Sequence, residues 1–355
     1  MPNADLSIIV PTLNEASNIA LLLKDLQRQK NIHLEVIIVD GGSCDNTLAV
    51  IDQFPAQNTL SIKTITSPAG RGLQMNRGAQ NAAANQLLFL HADSRIDDSA
   101  LLETAWRFFT EQLGRVAQER LAGHFALRFE RSQNTAPLAY YFYECKTHLN
   151  RLDTINGDQG FMLTKRFFQT LDGFDESLGY MEDARLARKI FAAGQWITLP
   201  GTLTTSARRF EAEGLKQRQI LNAFLCNFEH IGLPAFFTAA ASAYRAQDKT
   251  RRLDLKPFLQ LIHKLARDAG LSQATRLWFQ TGAYVASNAW QLALAWDCRR
   301  NFAKGFAPGL GSTPTIRFYD ARVAPIINSP PGKFIVTVAV FIWFYSLFWI
   351  SGLRR

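Results

Sequence analysis

Residues 87–96 read LLFLHADSRI, four apolar residues running straight into His91, Ala92, Asp93 and Ser94. A short continuous apolar run that stops at polar residues is the pattern of a strand buried on both faces. Three earlier runs share it: LSIIV (6–10), closed by Pro11, LEVIIV (34–39), and SIKTIT (61–66), which is more polar and so nearer an edge. Between them Ile19, Leu22, Leu23 and Leu26 follow helical spacing, with Asn14 or Ser17 as cap, and Asp45 caps a short helix through Ile51. Residues 71–84 form a third helix, rich in Ala and Asn. Strand alternating with helix predicts an α/β fold whose parallel sheet is covered on both faces. Ligands of such sheets gather beyond the carboxyl ends of the strands. The residues expected there are Pro11 to Glu15, Asp40 to Ser43, and His91 to Ser94.

The 355-residue chain is long enough for about two domains. Its charge is uneven. Residues 1–250 hold 25 Lys+Arg and 26 Asp+Glu, a net of −1, whereas residues 251–355 hold 14 and 4, a net of +10. A basic back end suits nucleic acid or an anionic membrane surface. No nucleic-acid module with interleaved aromatic and basic residues is legible, which argues against the first. Cys44, Cys145, Cys226 and Cys298 are far apart, with no zinc spacing, and read as thiols of a reducing compartment. No signal-peptide pattern opens the chain.

Several side chains carry chemistry at the expected strand ends. Asp40 precedes Gly41 and Gly42; its carboxylate can accept from a ligand N–H, or it can serve its own turn. Arg71 opens a helix after Gly70, joining a cation to free backbone amides, an arrangement suited to phosphate. Asn76 lies on the same helix. There is no G-x-G-x-x-G after the first strand and no G-x-x-x-x-G-K, which disfavours a dinucleotide fold and excludes a P-loop. Glu182 and Asp183 open a helix that turns Leu186, Ile190 and Phe191 inward; they read as helix-capping acids or as a general base.

Seven segments occur in order: PTLNE (11–15), VDGGSCDNT (39–47), GRGLQMNRGA (70–79), LFLHADS (88–94), GDQGFMLTKRFF (157–168), DGFDESLGYMEDARL (172–186) and SARRFEAEG (206–214). Together, over about residues 5–232, they resemble a family 2 glycosyltransferase of the GT-A fold. HAD in place of DAD, with QMN, GDQ, MED and ARR, is most similar to the radical-SAM/selenodomain-associated transferase 2 subgroup. The resemblance implies a mostly parallel sheet flanked by helices and a nucleoside diphosphate sugar as donor. Pro11, Asn14 and Glu15 would line the nucleoside pocket, with Asp40 and Gly41 at the base. Arg71 and Asn76 would reach ribose or diphosphate. Asp93, after His91 and Ala92, would bind a divalent cation, Mg2+ or Mn2+, bridging the two phosphates. His91 departs from the family's first carboxylate; it is a metal ligand, a phosphate contact or a space-filler. Asp183 would be the base that deprotonates the acceptor hydroxyl, with Glu182 beside it, in an inverting transfer. Asp158 and Gln159 would shape the acceptor side. Arg208 and Arg209, after the strand-like QWITLP (195–200), would clamp a donor phosphate or a phosphorylated lipid acceptor. Loss of one carboxylate also leaves open a non-catalytic nucleotide-sugar-binding or scaffold protein.

The expected divisions are a transferase domain over 1–232, a basic helical extension over 233–332, and a terminal helix over 333–355. Phe334 to Leu353 are 20 residues without a charge, roughly one hydrocarbon thickness as a helix. Residues 277–296 form a second charge-free stretch, weakened by two Gln, an Asn and Gly282. Leu255, Phe258, Leu259 and Ile262 make a basic amphipathic helix, on a membrane surface or packed on protein. Nucleotide sugars are cytosolic, so the cytoplasmic face of a membrane is the expected location. One crossing would put Arg354 and Arg355 outside, against the positive-inside tendency. A hairpin with 277–296, or a terminal helix lying in the interface, avoids this.

Overall fold

In the computed structural model, which describes residues 4–55, 60–247 and 251–353, the four apolar runs become strands β1 (Leu6–Thr12), β2 (Leu34–Asp40), β3 (Leu60–Thr66) and β4 (Gln86–Phe89). Helices α1 (Ala16–Gln27), α2 (Thr47–Asp52), α3 (Arg71–Gln80) and α4 (Leu101–Leu113) follow them in turn. Then come β5 (Leu121–Glu130), α5 (Pro137–Thr147), β6 (Phe161–Thr164), α6 (Lys165–Thr170), α7 (Glu182–Ala193) and β7 (Gln195–Ser206). All seven strands form one sheet in the order β3-β2-β1-β4-β6-β5-β7. Only β6 is reversed: it pairs antiparallel with β4 and β5, and the other pairings are parallel.

Successive residues of each strand feed opposite cores, because side chains alternate across a sheet. Ile8, Val10, Val36, Ile38 and Leu88 join α1 and α4 in one cluster. Ile9, Ile37, Val39, Leu87 and Phe89 join α3, α6 and α7 in the other. Both faces are covered, which is why these strands are apolar without alternation. Each fully buried Leu or Ile contributes about 1.5–3 kcal/mol.

Three local details differ from expectation. The strand β1 continues through Pro11 to Thr12 along β2, but its pairing with β4 stops at Ile9. Ile9 O accepts from Leu90 N on the β4 side, while Thr12 O accepts from Gly41 N on the β2 side. Pro11, in phase with Ile9, therefore turns its nitrogen toward the gap opening beyond β4, where no ladder bond is lost. Neither Asn14 nor Ser17 caps α1. Its first amides are taken from the next loop: Glu15 N donates to Thr47 Oγ1 (2.9 Å) and Ala16 N to Asp45 Oδ2 (3.3 Å). Asp45 also accepts from Thr47 N at 2.9 Å, as its capping reading requires. Helix α3 stops at Gln80, short of 84, because Ala83 N and Ala84 N donate instead to Glu35 Oε2 and Ser7 Oγ.

The chain divides into two compact units, Met1–Glu130 with Tyr143–Ser206, and Arg131–Phe142 with Ala207–Arg355. The boundary expected at 232 falls inside the second. That unit is helical: α8 (Arg208–Glu213), α9 (Leu215–His230), α10 (Pro234–Arg245), α11 (Lys256–Asp268), α12 (Gly270–Ser287), α13 (Trp290–Ala303), α14 (Pro314–Phe318), α15 (Ala324–Ile327) and α16 (Pro330–Leu353). Stretch 277–296 is not one helix. It breaks at Asn288, whose N and Nδ2 both donate to Tyr284 O. This removes the hairpin alternative. Among the described residues one helix is long and apolar enough to cross a membrane, Pro330–Ser351, with mean hydropathy 2.1. The amphipathic stretch becomes α11, whose Phe258, Leu259 and Ile262 are buried with Trp278 and Phe344 in this unit's own core. Its apolar face is thus taken by protein. Arg354 and Arg355 lie outside the described residues.

Candidate functional site

The gap between β1 and β4 is framed by three strand ends. At the end of β2, Asp40 is buried and serves its own turn: Oδ2 accepts from Gly42 N and Ser43 N at 2.9 Å each, and Oδ1 from Ser43 Oγ at 2.5 Å. Gly42, at φ 90°, allows that turn. Gln74, which the sequence reading passed over, is buried behind it. Its Nε2 donates to Thr12 O (2.9 Å) and Val39 O (2.7 Å), clamping the ends of β1 and β2 to α3. A Cβ on Gly41 would stand 3.1 Å from this amide. Asn14, at φ 57°, accepts from Cys44 N with Oδ1 at 2.8 Å, and Glu15 accepts from Asn18 Nδ2 at 2.6 Å.

The reversal of β6 builds the other side. Phe89 pairs with Phe161, so residues just after β4 meet residues just before β6. His91 Nδ1 and Asp158 Oδ1 are 2.8 Å apart. Burial opposes charge on the imidazole most strongly, but the Asp158 bond together with the negative charges of Asp158 and Asp93 more than offsets it, and the His91 pKa is raised. Between them and α7 lies Gly157, whose N donates to Asp183 Oδ2 at 2.8 Å. A Cβ on Gly157 would stand 2.8 Å from His91 Nε2 and 3.0 Å from Asp183 Oδ2. The two side chains therefore face one small space that glycine keeps open.

Helix α7 delivers the acids from a left-handed residue, Met181 at φ 71°. Such a conformation costs about 1–2 kcal/mol and clusters at functional sites. Glu182 is fully buried and accepts from Arg71 Nε with Oε1, while its Oε2 has no partner. Arg71 Nη2 lies 4.0 Å from Asp183 Oδ1. Burial works against the guanidinium, yet Asp183 and then Glu182 more than offset it and raise its pKa. Asp183 Oδ1 also accepts from Ala184 N at 2.8 Å, within the first turn of α7.

Asp93 is half-buried and accepts no hydrogen bond among the described residues, and Ala92 beside it is buried. Its loop is braced from α1 by buried Asp25, which accepts from Arg95 Nε at 2.6 Å and Ile96 N at 3.1 Å. Among the described residues no three His, Cys, Asp or Glu gather as a metal cluster. One carboxylate with open lone pairs fits a cation that takes its remaining ligands from substrate phosphates, the usual magnesium arrangement, and does not fit a cage made of protein alone.

Other expected residues are engaged elsewhere. Both N–H groups of Asn76 are used, on Phe174 O (2.9 Å) and Glu176 Oε1 (2.8 Å), and its Oδ1 accepts from Phe174 N, so it straps α3 to a turn. Gln159 is buried: Nε2 meets His124 Nδ1 at 2.9 Å, and Oε1 accepts from Asn156 N at 3.1 Å. Both thus spend their amide N–H groups on protein partners. Arg208 and Arg209 are exposed and open α8 in the second unit, because β7 runs on to Ser206 instead of ending at 200.

Comparison with known proteins follows the same lines. Residues 7–171 match the model of Glycosyl transferase family 2. A PGL/p-HBAD biosynthesis glycosyltransferase of Mycobacterium tuberculosis is 36% identical over 107 residues, 30% of this chain and 41% of the relative. The poly(ribitol-phosphate) beta-N-acetylglucosaminyltransferase TarS of Staphylococcus aureus is 30% identical over 102 residues, 28% and 18%. The chain thus matches about two fifths or less of the length of these relatives. Among solved structures, the mannosyltransferase PcManGT from Pyrobaculum calidifontis, in complex with GDP-Man and Mn2+, superimposes with TM-score 0.50 at 17% identity, covering 97% of this chain and 86% of that one. TarS 1–349 in complex with UDP gives 0.50 at 17%, covering 85% and 92%. At these identities the likeness establishes the fold: a GT-A α/β architecture, with a family 2 glycosyl transferase match running from β1 through α6 and stopping short of the α7 acids.

Proposed function

We infer that this chain is a family 2 glycosyltransferase of the radical-SAM/selenodomain-associated type, transferring a hexosyl group with inversion from a nucleoside diphosphate sugar to an acceptor hydroxyl or phosphate. One observation carries the reading. Arg71, Asp183, Gly157, His91 and Asp158 converge where β4 and β6 meet, beside the strand-end crevice of a GT-A fold. Asp183 takes the proton of the acceptor as its oxygen bonds to the anomeric carbon. The bond from that carbon to the diphosphate breaks, and its electrons leave with the nucleotide. Arg71 offsets the charge gained there. Asp93, with His91 beside it, would hold a divalent cation, magnesium or manganese, which would supply further positive charge to the leaving group. Pro11, Asn14, Glu15 and Asp40–Gly41 line the nucleoside end, Asp40 through the loop it shapes. Asp158 borders the acceptor.

The second unit supports action at the cytoplasmic face of a membrane on an acceptor that is itself lipid-linked, anchored through α16. The test is a thermal-shift panel of nucleoside diphosphates with and without manganese, followed by turnover. Asp183→Asn is expected to bind donor and transfer nothing; turnover at the wild-type rate would refute the base. Asp93→Ala is expected to lose the manganese-dependent shift; an unchanged shift would refute the cation role.

A further inference from the structure

Large apolar side chains are exposed very unevenly. Among the described residues three, Leu13, Leu21 and Leu152, lie in the first unit, and the other exposed large hydrophobics fall between Leu271 and Ile350 in the second. Helix α16 has two apolar faces. Thr337, Phe344, Tyr345 and Phe348 follow one stripe at helical spacing and turn inward. Phe344 is 2% exposed, the ring of Trp278 of α12 packs tilted against it with centroids 5.1 Å apart, and His263 of α11 packs tilted against Phe348 at 4.9 Å. Phe334, Ile335, Val338, Ile342 and Trp349 follow the opposite stripe and are exposed, Trp349 at 67%.

The inward contacts decide how this helix can meet a bilayer. Exposed Lys264, Arg267 and Asp268 lie within about a turn of His263, and exposed Arg276 precedes Trp278 by two residues. They sit level with Phe341 to Phe348, the middle and later part of α16. Were α16 to cross a membrane, these charges would be carried to hydrocarbon depth, each opposing insertion by on the order of a hundredfold. Lying along the interface, the helix buries its outer stripe while the charges stay in water. The same unit supplies headgroup contacts. Residues 299–334 interleave Arg299, Lys304, Arg317 and Arg322 with exposed Phe302, Phe306, Leu310, Phe318 and Phe334, against a single acid, Asp320. Alternating cationic and apolar side chains fit an anionic bilayer surface.

We propose that α16 lies in the plane of an anionic bilayer without crossing it, its outer stripe in the acyl boundary and the basic residues of 299–333 on lipid phosphates. The proposal rests on the membrane association inferred above and not on the transfer chemistry. Deleting residues 333–355 would strip Phe344 from the core, so outward-facing charges are the cleaner probe. The full chain, tagged before Met1 and after Arg355, is expressed in bacterial cells, and protease is applied to inside-out vesicles and to spheroplasts. Both tags should be digested in inside-out vesicles and neither in spheroplasts. A C-terminal tag cut only in spheroplasts means a crossing and overturns the proposal, as does absence of the protein from both membrane preparations. Purified full chain should float with phosphatidylcholine vesicles at least tenfold better when phosphatidylglycerol is included. Ile342→Glu and Trp349→Glu should each weaken flotation tenfold or more with unchanged circular dichroism. Equal binding to both vesicle types, or tolerance of both substitutions, would overturn it. None of these readouts measures turnover, so failure of the transferase reading leaves them intact.

Discussion

Removing Arg71 tests the arrangement of the site through stability, independently of any substrate. Glu182 is fully buried, and Arg71 satisfies one of its oxygens while the other has no partner. In Arg71→Ala the carboxylate is left uncompensated, and breaking a buried pair from one side costs about 3–5 kcal/mol. The first unit holds nearly two hundred residues, so at about 2–4 °C per kcal/mol its melting midpoint should fall by on the order of 10 °C at neutral pH. Glu182→Gln in the Arg71→Ala background should restore most of the lost midpoint at neutral pH, because no charge is then stranded. Circular-dichroism melts of the three proteins at neutral pH measure this. A single variant that melts like the wild type at neutral pH, or a double variant no better than the single one, would refute the buried pair.

Gly157→Ala should leave the melting midpoint within about 2 °C, since the new methyl meets only the ends of His91 and Asp183. Turnover should drop about a hundredfold, because a displacement near 1 Å is costly at a reacting centre. The Gly78→Ala variant should behave the opposite way. Its Cβ would overlap Ile9 Cγ2 in the closed core between α3 and β1, so it should lose about 1–3 kcal/mol of stability by denaturant melts. Burial lowers the pKa of His124, and its nitrogens face Asn150 and Gln159. Its ring should therefore remain neutral at pH 6 in an NMR titration; protonation there would contradict the buried network. A group held neutral in this way favours the folded state above the ordinary histidine range, and that contribution declines as pH falls through it.

Much of the front half of the sheet was legible because its signals are local. A parallel strand buried on both faces must be apolar throughout, so its end shows wherever polar residues resume, as at Asp40 and His91. Seven short segments in order then identified the architecture that the sheet displays. The same local reading did not foresee where Asn76 and Gln159 spend their amides. Both are polar residues in loop-flanking motifs, and their partners, Phe174 and Glu176 for one and His124 for the other, lie far off in the chain. It also passed over Gln74, for which a glutamine early in a helix facing two strand ends was the available signal.

The sequence by itself determined where the first four strands and the helices between them form, which acids stand at strand ends, and where the apolar helix lies, since these follow from side-chain periodicity within a few turns. Tertiary structure alone decided that β6 runs backward beside β4, bringing Asp158 to His91, and that Arg71 pairs with Glu182 across 111 positions. It alone split the apolar stretch 277–296 at Asn288, and gave α16 an inner face committed to Trp278 and His263. The physical reason is the same in each case. Hydrophobic pattern fixes which face is buried, but the partner covering that face is chosen by packing among segments distant in the chain.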